Sequence, residues 1–126
     1  MTIVIGLDVQ NFDEIAESLS RFGDRYLRRI YSEREVAECE NDRESMIAGL
    51  ALRFAGKEAV FKALTPDDHI PPWRSIEVLF QSNSLPAIEL CGEADVLARQ
   101  RGVEKIFLSV SLGRDYAVAA VVGASR

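Results

Sequence analysis

Three residues of this chain have types and spacing suited to chemistry carried out together: Asp8, Glu58 and Lys62. Asp8 ends an apolar, β-branched run, Thr2 to Val9, that reads as a largely buried strand. It leaves that strand on the same side as Gly6, where a missing side chain lets another group approach the backbone. Glu58 and Lys62 belong to Arg53-Phe54-Ala55-Gly56-Lys57-Glu58-Ala59-Val60-Phe61-Lys62-Ala63-Leu64, the second half of a long helix. At about 100° per residue, Glu58 points within roughly 20° of Ile47, inside the apolar stripe formed with Leu50, Ala51, Phe54 and Phe61. A carboxylate in such a stripe must be neutralised, hydrogen-bonded or bound to a cation. Two readings compete. Glu58 and Lys62 could form an i, i+4 ion pair contributing only about 0.3–0.5 kcal/mol, with Asp8 a turn-opening residue. Alternatively, Asp8 and Glu58 share a hard divalent cation such as magnesium, which prefers few protein carboxylates and keeps other positions for water and phosphate oxygens. Lys62, one turn along, then supplies a compact charge for a phosphate group. Two carboxylates and a lysine around magnesium are parts for chemistry at a pyrophosphate.

The elements that must position these groups can be read in order. Asn11-Phe12-Asp13-Glu14 has the spacing of a helix start, with Phe12, Ile15, Leu19 and Phe22 as its inward face and Gly23 as its end. Asp24 to Ile30 is a short helical segment in which Arg25, Arg28 and Arg29 share one face, with Arg21 just upstream. This densest positive cluster reads either as a solvated face or as an anion-docking patch. Ser32-Glu33-Arg34-Glu35 is a capping box opening a helix to about Glu40, and the long helix runs from about Glu44 to Leu64. Gly49 and Gly56, seven apart, suggest that this helix packs closely against another backbone. Thr65 to Pro72 is an irregular, proline-interrupted loop holding the only histidine, His69, which reads as a solvated bystander. Arg74 to Phe80 and Pro86 to Cys91 alternate as strands joined through Gln81-Ser82-Asn83-Ser84, Gly92 to Gly102 is an amphipathic helix, and Lys105 to Leu112 with Tyr116 to Val122 form a hairpin around Gly113-Arg114. The order predicts an α+β fold, an antiparallel-rich sheet wrapped around one long central helix.

Bulk properties bound the partners. At 126 residues the chain reads as one domain, residues 1–126, able to bury a core without staples. A net charge of −5 argues against broad nucleic-acid or anionic-membrane binding, so an acidic partner needs a local basic patch. Cys39 and Cys91 have neither CxxC spacing nor a histidine cluster nearby, and read as buried free thiols. No run is long enough to span a membrane, and the short N-terminal run, interrupted by Asp8 and without a basic leader, does not read as a signal peptide. A cytoplasmic protein is expected.

Gly6-Leu7-Asp8-Val9 and Phe54-x-x-Lys57-Glu58-Ala59-x-x-Lys62 resemble the two signature motifs of the 4′-phosphopantetheinyl transferases. Gly23 to Ile30 with Ser32 and Glu35, and the ending Leu108-Ser109-Val110-Ser111-Leu112-Gly113-Arg114-Asp115-Tyr116-Ala117, resemble the small holo-acyl-carrier-protein synthase branch. The resemblance spans nearly the whole chain in one order. It implies transfer of 4′-phosphopantetheine from coenzyme A to a serine of an apo acyl carrier protein, releasing adenosine 3′,5′-bisphosphate, as in fatty acid biosynthesis. It implies that Asp8 and Glu58 hold Mg2+, that Glu58 helps deprotonate the serine, and that Lys62 neutralises charge on the reacting phosphate. By the same resemblance Arg53, Lys57, Lys62 and Ser111 contact the coenzyme, and Arg21, Arg25 and Arg28 receive an acidic helix of the carrier protein. The small members are homotrimers with sites between subunits.

The chain also departs from that pattern. Thr65-Pro66-Asp67-Asp68-His69 stands where the family commonly has a Gly-Thr-Gly loop, and Leu112 where it often has histidine. Asp13 and Glu14 replace an early basic residue, and Ser84-Leu85-Pro86 a Gly-Lys-Pro turn. These departures leave a second reading open, a catalytically lapsed relative that binds carrier protein or assembles with other subunits.

Overall fold

A computed structural model describes residues 1–65, 70–80 and 85–125. Strand β1 (Ile3–Asn11) leads into helices α1 (Phe12–Phe22), α2 (Asp24–Ile30), α3 (Glu33–Cys39) and α4 (Arg43–Leu64). A 3-10 turn at Trp73–Ser75 precedes strands β2 (Ile76–Phe80) and β3 (Pro86–Leu90), helix α5 (Gly92–Gln100), and strands β4 (Lys105–Leu112) and β5 (Tyr116–Ala124). Two antiparallel sheets result: β1-β5-β4, and the pair β2-β3. The chain is α+β around one long helix, as the element order predicts. The loop at 66–69, with Asp67, Asp68 and His69, and the turn at 81–84 lie outside the described residues.

Helix starts follow local chemistry. The Asn11 side chain accepts from Asp13 N at 2.8 Å, and Asp42 accepts from Ser45 N at 3.0 Å, satisfying orphan amides of α1 and α4. Ser32 and Glu35 close the reciprocal capping box at α3. Gly23, at φ 54°, ends α1 in the left-handed region that costs glycine least.

Helix α4 lies against one face of the three-stranded sheet along a stripe of small residues. Ala51, Ala55, Ala59 and Ala63 recur every four residues and are all buried, opposite Ala117, Ala119 and Val121 of β5. Short side chains on both surfaces bring helix and sheet close, closest at Gly6. A Cβ there would lie 2.8 Å from the Ala59 carbonyl carbon and 3.1 Å from Ala63 N, with the Ala59 carbonyl oxygen nearer still. Gly49 and Gly56 play a different part from the backbone packing predicted for them. A Cβ on Gly49 would meet Cys39 Sγ at 3.0 Å, and one on Gly56 would meet Val78 Cγ2 at 2.9 Å, so both accommodate side chains of α3 and β2.

The other side of α4 carries aromatic packing. Trp73 lies 4.9 Å from Phe54 and 4.6 Å from Phe61 between ring centroids, and the Tyr31 hydroxyl donates to Leu50 O at 3.1 Å.

Three burial expectations need correcting. Strand β1 is buried on one face only: Ile3, Ile5, Leu7 and Val9 are 59%, 69%, 57% and 58% exposed, because none of the described residues covers the sheet opposite α4. Phe22, the last residue of α1, turns outward and is 49% exposed. Cys39 is buried as expected, whereas Cys91, just before α5, is exposed; both are free thiols.

Candidate active site

Strand pairing fixes where Asp8 points. Asp8 pairs with Ala119, which pairs with Val110, so all three face the helix side of the sheet. On α4, Glu58 and Lys62 each precede one of the close-packed alanines, Ala59 and Ala63, and stand at the margin of that contact. The close approach at Gly6 therefore brings the strand end against the last turns of the helix. Lys62 Nζ donates to Asp8 Oδ1 at 2.9 Å and to Leu7 O at 3.1 Å. The Asp8 side chain is 13% exposed and Lys62 54%.

The pairing differs from the simple helix surface pair. Among the described residues, Lys62 forms its ion pair across to the strand, and none joins it to Glu58. Glu58, half-buried, has its carboxyl raised above the usual value of 4.5, first by burial and then by the neighbouring Asp8 charge, with Lys62 opposing. Asp8 Oδ2 is buried and accepts no hydrogen bond. Two acids that disfavour each other's charge, one with a buried orphan oxygen, form a site short of positive charge. Hard cations with few carboxylate ligands suit it. Among the described residues no group of three or more His, Cys, Asp or Glu side chains gathers around a point, so a cation here would have two protein carboxylates and complete its shell from water or substrate oxygens.

Arg53 and Lys57, which the resemblance brings to the coenzyme, are turned elsewhere. Lys57 and Glu35 form an ion pair at 2.7 Å with both side chains 0% exposed. The Lys57 ammonium also donates to Trp73 O at 3.0 Å and to Ile76 O. Its pKa lies below the usual lysine value because burial disfavours the charge, while Glu35 opposes that shift. Arg53 is buried too, donating to Gly49 O at 3.0 Å and Glu38 at 2.7 Å, with its guanidinium 4.8 Å from the Phe80 ring centre. Both cations hold α3 and β2 to α4, so neither charged group is free for a phosphate.

The glutamates they meet escape a sequence reading. Glu35 appears there as the end of a capping box and as part of the family resemblance, with no buried ion pair foreseen, yet it also accepts from Val78 N at 2.9 Å, and Glu38 accepts from Phe80 N at 2.9 Å. The one available signal is a lysine beside Glu58 on a helix otherwise rich in small and apolar residues.

Ser111 pairs with Val118 and lies on the uncovered sheet face, opposite to Asp8. Arg21, Arg25 and Arg28 are all exposed. The structure separates the last two: Arg25 and Arg29 border a hollow with Phe22, Tyr26 and Trp73, while Arg28 borders another with Asp24, Glu33 and Glu40.

Comparison with known proteins adds the family. Residues 4–121 match the family described as the 4′-phosphopantetheinyl transferase superfamily. A holo-[acyl-carrier-protein] synthase of Nitratidesulfovibrio vulgaris is 39% identical over 124 residues, covering 97% of this chain and 98% of its own. One from Halothermothrix orenii is 36% identical over 120 residues, covering 94% of each. Among solved structures, a Chronobacterium ammoniagenes ACPS-CoA complex superposes with a TM-score of 0.85 at 26% identity, covering 100% of this chain and 99% of that one. A Helicobacter pylori holo-[acyl-carrier-protein] synthase in complex with coenzyme A superposes at 0.81 and 26% identity, covering 95% and 99%. Agreement of motif, fold and relatives along almost the full length places this chain in the 4′-phosphopantetheinyl transferase superfamily.

Proposed function

We propose that this chain is a holo-acyl-carrier-protein synthase, transferring 4′-phosphopantetheine from coenzyme A to a serine of an apo acyl carrier protein, in the cytoplasm and in support of fatty acid biosynthesis. The carrying observation is the strand-end Asp8 with its orphan Oδ2, facing Glu58 and tied to Lys62. In the reaction the serine Oγ forms a bond to the β-phosphorus of coenzyme A, and the bond to the bridging oxygen breaks. Adenosine 3′,5′-bisphosphate leaves. Such displacement gains most from positioning and charge compensation. Glu58, its carboxyl raised and half-buried, accepts the serine proton directly or through a water. Lys62 places a positive charge beside the departing oxygens. Asp8 and Glu58 are the residues that would hold Mg2+, which supplies charge neutralisation on the pyrophosphate when bound.

Assembly follows from the uncovered sheet face. Ile3, Ile5, Leu7, Val9 and Phe107 form an exposed apolar surface larger than scattered residues require. Ser111 on that face cannot meet Asp8 of its own chain, so we assign the face to contact between copies in a homotrimer, with Ser111 serving a neighbour's coenzyme site. Arg21, Arg25 and Arg28, exposed on an acidic chain, are the proposed receivers of the carrier protein's acidic helix.

The test is direct. The protein is incubated with Mg2+, coenzyme A and apo carrier proteins, and the carriers are weighed. A mass gain of one phosphopantetheine, lost in Glu58→Gln with the fold intact, supports the reading. Full transfer by Glu58→Gln removes the role given to Glu58. Carrier binding without any mass gain points instead to a lapsed relative.

A further inference from the structure

Lys62 holds two relationships at once, and they conflict once a cation arrives. Its ammonium has three N–H donors, of which one goes to Asp8 Oδ1 at 2.9 Å and one to Leu7 O at 3.1 Å. The same Asp8, with Glu58, is the pair on which a divalent cation would sit. The three side chains sum to one negative charge; with a divalent ion added they sum to one positive charge, with an ammonium in direct contact with a metal ligand. The two partners differ in freedom. Asp8 is 13% exposed and held in a strand paired with β5 along its whole length, whereas Lys62 is 54% exposed on a flexible stem.

We infer that in the free protein the Lys62 ammonium on Asp8 Oδ1 supplies the positive charge a cation would bring, beside the unpartnered Oδ2, and that binding of a divalent cation drives it off the strand end toward the phosphate oxygens of the substrate. This rests on the metal reading given above for Asp8 and Glu58. Its consequence is coupling: cation alone must displace a bound charge, whereas cation with a pyrophosphate gives the displaced ammonium an acceptor. Cation and coenzyme A then strengthen each other's binding by the same factor. Lys62 is an internal stand-in for the metal as well as a phosphate ligand.

Two measurements on the folded, full-length protein test this. Mg2+ is titrated by calorimetry into the wild type and Lys62→Met, each with and without coenzyme A. Without coenzyme A the variant binds Mg2+ about tenfold more tightly, and the gain on adding coenzyme A is larger in the wild type. The second follows the ε-methylene group of Lys62 by NMR, identified by its loss in Lys62→Met among the chain's three lysines. On saturation with Mg2+ its relaxation approaches that of exposed Lys105. Tighter binding by the variant while the wild-type Lys62 signal stays restrained overturns the exchange, since mere repulsion then accounts for the affinity. Equal or weaker binding by the variant overturns it too, with the metal reading intact. Mg2+ binding that is absent in every state, or unaffected by Asp8→Asn, overturns the metal reading and the exchange with it.

Discussion

Substituting Gly6 by alanine tests the link between packing and site, because the contact that admits α4 to the sheet also sets the approach of Asp8 to Glu58. Gly6 does not adopt a positive φ, so alanine there carries no backbone penalty and the cost is steric. The added Cβ would fall 2.8 Å from the Ala59 carbonyl carbon and 3.1 Å from Ala63 N, and closer still to the Ala59 oxygen. Ordinary contact begins at 3.4 Å, and all of these are backbone atoms of a helix packed on both sides. Strand and helix must separate by roughly an ångström or more, opening a close-packed interface. We expect a loss of about 3 kcal/mol in urea unfolding. Asp8, two residues on, moves with the strand, so Mg2+ affinity falls in parallel, about tenfold or more. Gly23→Ala is the control. It sits at φ 54° with nothing within 4 Å of its Cβ, so it costs about 1 kcal/mol of backbone strain and leaves Mg2+ affinity unchanged. A Gly6→Ala protein as stable as the wild type, or one destabilised with full Mg2+ affinity, refutes the argument that this contact positions the carboxylates.

Three further predictions follow from the same structure. Lys57→Met leaves Glu35 buried with two backbone amides and no cation, and should lower stability by about 3–5 kcal/mol in denaturant melts; a change below 1 kcal/mol contradicts the interior role given to Lys57. Glu58 has a folded pKa above its ordinary 4.5, so its contribution to stability is fully present below that value and is lost as pH rises through the folded pKa. Metal-free Glu58→Gln lacks this loss, so its melting temperature should exceed the wild type's near pH 7 by a margin that shrinks as pH falls through the folded pKa toward 4.5; a margin independent of pH contradicts the assignment. Ile5→Glu, 69% exposed midway along the edge strand β1 on the sheet face away from α4, should dissolve the proposed homotrimer into monomers in sedimentation and remove transfer activity, while the single chain stays folded. An unchanged sedimenting mass refutes that face as the contact.

What the sequence by itself determined is local or pairwise along one element. Caps at Asn11 and Ser32, the glycine stop at 23 and the periodicity of each strand set the elements nearly to the residue, because their causes lie within a few positions of each other. The types of Asp8, Glu58 and Lys62, with their motif spacing, identified the family and the chemistry to look for. Tertiary structure decided which charges face which. Periodicity puts Lys57 and Lys62 alike on the shoulders of the apolar stripe, but only packing shows that one is sealed against Glu35 while the other reaches Asp8. One face of β1 carries Ile3, Ile5, Leu7 and Val9 and the other Val4, Gly6, Asp8 and Gln10, and only the placement of α4 shows that the less apolar of the two is the one turned to the core. The physical reason is the same in each case. Burial and ion pairing depend on what lies across the fold, 54 residues away for Lys62 and Asp8, and no local pattern of residues records that distance.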